Sequence, residues 1–104
     1  METPANADTQ LIAALRGSAD ALPEEATETA GMLRRYALEI ENHSTREAAV
    51  ARFDEFAAHY KGLRDLIVPG IPQDVWDQQV NALRSLARSA MKLRRTSWWR
   101  RLVG

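Results

Sequence analysis

Six residues, Ala49, Phe53, Phe56, Tyr60, Leu63 and Ile67, recur at steps of 4, 3, 4, 3 and 4. That spacing tracks the 3.6-residue turn of an α-helix and misses the two-residue period of a strand. One helix cannot bury such a stripe alone, so the chain must supply neighbours for it. Three other segments carry the same kind of pattern. From Thr9 to Leu22, a first helix places Leu11, Ile12, Leu15, Ala19 and Leu22 on one face, with Asp8 or Thr9 able to cap it and Pro23 ending it. Pro23 followed by Glu24, Glu25 and Glu28 suits the first turn of a second helix, because proline needs no amide partner there and the helix dipole favours acids. That helix runs to about Asn42, with Thr29, Leu33, Tyr36, Ile40 and His43 at steps of 4, 3, 4 and 3, His43 falling at the hairpin corner as a half-buried or solvent-facing residue.

Ser44 and Glu47 in "STRE" read as a capping box that starts the third helix almost where the second ends. The two therefore form an antiparallel hairpin, and the third helix runs from Thr45 to Ile67. "VPGIP" breaks it. The fourth helix, Gln73 to Arg95, turns Trp76, Val80, Leu83, Ala87 and Ala90 inward, with Leu86 and Leu93 widening the stripe. The expected fold class is all-α: a small bundle of three long helices with a short N-terminal helix across one end. Residues 1–8 read as a disordered N-terminus, 9–95 as the bundle and 96–104 as a basic Trp/Arg tail. A long apolar stripe left over in one subunit would make a homodimer seam.

The 104 residues hold one core, and the absence of cysteine excludes disulfide scaffolds, thiol catalysis and thiolate zinc sites. The start "METPANADTQ" lacks the basic and apolar regions of a signal peptide. No apolar run reaches the roughly 20 residues that cross a bilayer, and a cytoplasmic protein is expected. Twelve arginines against two lysines suggest a GC-rich bacterial or phage genome.

The net charge of zero conceals a division. Residues 1–60 carry eleven acids and five arginines, whereas residues 61–104 carry nine basic side chains and three acids. From Arg84 onward there are seven basic residues and no acid. The chain then closes on "MKLRRTSWWRRLVG". As a helix this segment is amphipathic, with Met91, Trp98, Trp99, Leu102 and Val103 on one arc and most of the arginines opposite. Thr96 or Ser97 interrupting the helix is the alternative. The expected partner-binding residues are Arg84, Arg88, Lys92, Arg94 and Arg95, together with Trp98, Trp99, Arg100 and Arg101. Tryptophan and arginine are the side chains that most often anchor protein interfaces, so a protein partner comes first. The same residues could follow a phosphate backbone while an indole stacks on a base, or lie on an anionic membrane surface. The indoles closing the open end of their own bundle is the purely structural alternative.

Catalytic signals are sparse. No Ser/His/Asp set, glycine-rich phosphate loop or metal-ligand spacing occurs, so neither a cofactor nor a metal is expected. "HYKGL", from His59, resembles the phosphorelay histidine of histidine-phosphotransfer bundles, with the lysine one position early. "IPQDVW" is similar to a short stretch of Hha-type nucleoid modulators. "RFDEFAAH" is similar to the Arg-x(4–6)-His motif of HEPN-type ribonucleases, although Phe53 stands where that family usually has a polar residue. That resemblance implies a helical dimer in which His59 is the general acid/base and Arg52 holds the scissile phosphate. The reading drawn from the whole sequence is a non-enzymatic helical interaction protein, an adaptor, assembly subunit or inhibitor of bacterial or phage origin. A nucleic-acid-binding accessory factor is the alternative, and a HEPN-like ribonuclease using Arg52 and His59 the second.

Overall fold

The computed structural model describes the backbone of residues 4–58, 62–63 and 66–103, and the side chains of residues 7–58, 62–63 and 66–91. Four helices follow one another: α1 (Pro4–Ala21), α2 (Thr27–Glu41), α3 (Arg46–Ala58) and α4 (Gln73–Val103). A short 3-10 turn, Glu24–Ala26, leads into α2. No strand occurs among the described residues. Helix α1 packs on α2 and α4, and α3 packs on the same two, which makes an up-down-up-down bundle.

The apolar lines meet at the centre. Leu11, Leu15 and Ala19 of α1 face Leu33, Ala37 and Ile40 of α2 and Phe53 of α3 in a single core. Helix α4 adds Trp76, Val80, Leu83, Ala87 and Ala90, all buried as its spacing requires. Tyr36 joins the α2–α3 hairpin through an edge-on contact with Phe53, ring centroids 5.2 Å apart, and a stacked one with Phe56.

Several boundaries differ from the sequence reading, each for a local reason. Helix α1 starts at Pro4 and not at Thr9, so Ala7 and Asp8, expected in a disordered N-terminus, are buried instead. At 18 residues it is as much a member of the bundle as its neighbours. The α2–α3 corner uses other groups than a Ser44–Glu47 box. The Thr45 hydroxyl donates to the Glu39 carbonyl at 2.6 Å, and the Arg46 guanidinium donates to the carbonyls of Ile40 and Glu41. Those are carbonyls that the end of α2 leaves without an intrahelical donor. His43 is exposed at this corner.

Helix α3 is the largest departure. Its described helical bounds are Arg46–Ala58; of the described residues that follow, Leu63 is in a 3-10 turn and 66–72 are outside any helix. Leu63 is still buried, but Ile67, the last residue of the expected stripe, is 88% exposed. The Leu63 carbonyl accepts the Trp76 indole N–H at 2.8 Å in the core and the Leu66 amide at 3.3 Å. In a continuing helix the same oxygen would bond the amide of residue 67. Val68 to Ile71 then form a turn closed by the Ile71 amide on the Val68 carbonyl, with Pro69 second and Gly70 third at φ +83°. That is the type II pattern, and only glycine adopts it without strain.

Candidate functional site

No glycine or proline interrupts the sequence between Gln73 and Val103. The Pro72 carbonyl accepts the Trp76 amide at 3.0 Å, and Asp74 lies in the first turn where the helix dipole favours it. The helix accordingly passes through Thr96 and Ser97 without a break. At about 1.5 Å per residue it is about 46 Å long, against about 27 Å for α1.

Two side-chain contacts set how α4 lies in the bundle. Gln79 donates to the Ser18 hydroxyl of α1, and Arg84 pairs with Asp54 of α3 at 3.5 Å. Both neighbours run antiparallel to α4. Fourteen residues on from Gln79, position 93 is therefore level with Pro4, where the helix bounds of α1 begin. Eight residues on from Arg84, position 92 is level with Arg46, the first residue of α3. The described parts of the flanking helices thus reach to about the level of residue 93, while α4 continues to Val103. The remaining ten residues extend for about 15 Å.

The expected partner-binding residues divide along this line. Arg84 sits within the bundle, half-buried, its guanidinium held by a largely buried Asp54. Arg88, one turn further, is exposed, and no acid pairs with it among the described residues. Lys92, Arg94, Arg95, Trp98, Trp99, Arg100 and Arg101 follow on the continuing helix, and their side chains lie outside the described residues. The burial of Arg84 had no signal in its own segment, because Asp54 is 30 positions away in sequence.

A family match would narrow the readings. No family model, curated protein or solved structure matches this chain. The functional reading therefore stands on geometry and charge.

The residues of the ribonuclease-like motif are placed in part. Arg52 is on the outer face of α3, exposed, with Glu39 of α2 at 3.4 Å. It borders a shallow groove of about 570 Å³ whose wall includes Met32, Arg35, Tyr36 and Phe56. Burial pushes the Tyr36 hydroxyl above the usual tyrosine range, Arg52 opposing and Glu39 reinforcing the shift. His59 lies outside the described residues. Among the described residues, no three histidine, aspartate or glutamate side chains converge as metal ligands would. No described helix is long and apolar enough to cross a membrane.

Most arginines on the bundle are committed to internal partners. Arg16 bonds Glu41 at 3.0 Å, Arg34 bonds Asp20 at 2.8 Å, and Arg46 lies 3.9 Å from the buried Asp8. Arg16 holds the Glu41 carboxyl below the usual glutamate range, first through the hydrogen bond and then through its charge. The basic residues of the sequence are in turn concentrated toward the far end of α4, seven of them from Arg84 onward with no acid among them.

Proposed function

We propose that this chain is a non-enzymatic helical interaction protein, a cytoplasmic adaptor, assembly subunit or inhibitor of bacterial or phage type. It holds a macromolecular partner through the basic, tryptophan-bearing end of α4. The observation that carries this reading is the register of α4, whose flanking helices, as far as they are described, reach the level of about residue 93 while the helix continues for ten residues. Those residues include Trp98, Trp99 and four arginines, the side-chain types that concentrate binding energy at protein interfaces. A segment of this composition with no helix beside it among the described residues is matched to a surface supplied from outside.

A nucleic-acid partner is the second reading, and Arg88 favours it. An exposed, unpaired arginine one turn before Lys92 starts a basic line that meets no acid through Arg101. Salt separates the two. A phosphate partner weakens by roughly 0.7–0.9 log units of affinity per log unit of salt for each contact, whereas an indole-anchored protein contact is far less sensitive. The experiment is affinity capture with the full chain, a 1–95 truncation and a Trp98→Ala variant, washed over a salt series. The expected result is a retained protein lost with both altered chains. Capture unchanged by the truncation would overturn the reading. His59→Ala decides the ribonuclease alternative, since undiminished biological activity in that variant removes it.

A further inference from the structure

We infer that an apolar groove at the acidic end of the bundle receives the basic end of α4 from a second copy of the chain, joining copies head to tail. This rests on the reading of that end as a binding element and names its partner. The groove lies between the end of α1 and the start of α4, bordered by Ala21, Leu22, Ile71, Val75 and Trp76, with Ser18 and Gln79 at one side. Its volume is about 190 Å³. That is below the roughly 300–1,000 Å³ of small-molecule pockets and suits a side chain or two of a protein anchor. Val75 at its edge is 48% exposed, and Ile67, in the loop at the same end, is 88% exposed. These are two of the three large hydrophobic side chains that the described bundle leaves in water.

Charge points to the occupant. Asp20, Glu24, Glu25, Asp74 and Asp77 gather at this end, on the last turn of α1, the 3-10 turn and the first turns of α4. Among the described residues only Asp20 of these five has an arginine partner, Arg34. The opposite end of α4 carries Arg94, Arg95, Arg100 and Arg101 among Trp98, Trp99, Leu102 and Val103. An apolar slot with an acidic rim and an aromatic segment with a basic rim are complementary.

The fold forbids the two from meeting within one subunit. Trp76 and Trp98 are 22 residues apart on a single helix, or about 33 Å, and the helix points away from the groove. Only another copy can deliver that end. The contact is heterologous, so each copy offers one donor segment and one acceptor groove, and copies close into a ring or extend as a chain.

Sedimentation velocity on the full chain at low salt tests this. The expected result is a mass that rises with protein concentration and falls as salt is added. Val75→Lys blocks the groove from an exposed position, and a Trp98→Ala/Trp99→Ala variant removes the anchor. Each is expected to stay monomeric alone, with helical circular dichroism unchanged. Their equimolar mixture restores one donor and one acceptor and stops at a heterodimer. Asp74→Lys, a rim change that leaves the apolar lining in place, is expected to weaken self-association several-fold. A full chain that stays monomeric at every concentration overturns the inference, as does a mixture without heterodimer or a Val75→Lys chain that associates normally. A monomeric chain that still captures an outside partner through residues 96–104 sinks this inference alone. Loss of neither behaviour on truncation sinks the binding reading as well.

Discussion

Trp76 joins two parts of the molecule that sequence places 13 residues apart. Its ring is buried in the core, and its N–H meets the Leu63 carbonyl at 2.8 Å. Replacing Trp76 with Phe keeps most of the apolar burial but leaves that carbonyl with one fewer donor in a dry setting. The expected cost is about 1–3 kcal/mol, read as a lower urea midpoint with an unchanged slope. A midpoint equal to the parent's would mean water replaces the indole there. The spacing of Trp76 with Val80 and Leu83 marks it as inward from sequence alone. Its acceptor could not be read, because the Leu63 carbonyl is available only where the helix has ended. Arg84 presents the same contrast. Its place in a basic run is visible in sequence, whereas its engagement by Asp54 depends on how α3 and α4 align.

Elements show where a pattern is a good guide and where it fails. The inward line of α4 is found as spaced, since a period of 3.6 is a property of the helix itself. Of the α3 stripe, Ala49, Phe53, Phe56 and Leu63 are inward, Ile67 is not, and Tyr60 lies outside the described residues. Leu63 reaches the core from a 3-10 turn beyond the bounds of α3, so a residue can match an α-helical period without belonging to the α-helix. Glycines test the elements most directly. A Cβ added at Gly17 or Gly31 meets nothing within 4 Å, and both sit inside helices. Gly17→Ala and Gly31→Ala are each expected to raise stability by about 0.5–1 kcal/mol. Gly70→Ala is expected to lower it by about 1 kcal/mol or more, because φ is +83° and the new Cβ would lie 2.9 Å from the Pro23 ring. Chemical denaturation of the three variants in parallel checks the signs, and a stabilised Gly70→Ala would refute the turn described.

At the scale of the molecule, the alignment of antiparallel helices matters more than any single contact. Since the described flanking helices reach only to the level of about residue 93, removing residues 96–104 is expected to leave the melting temperature within about 1–2 °C of the full chain's, while partner capture is lost. A drop of about 4–8 °C, the effect of about 1 kcal/mol in a domain of this size, would place the indoles in the core instead. Helical character, four segments, an antiparallel central pair and a division of charge between the halves were all present in the sequence. They are local properties, set by spacing, by proline and glycine, and by the sign of neighbouring side chains. The length of α1, the end of α3, the partner of Arg84 and the level at which α4 outruns its neighbours were settled only by tertiary structure. Each depends on which residues of distant segments come to lie side by side, and packing of the whole core, not the pattern of any one segment, chooses that alignment.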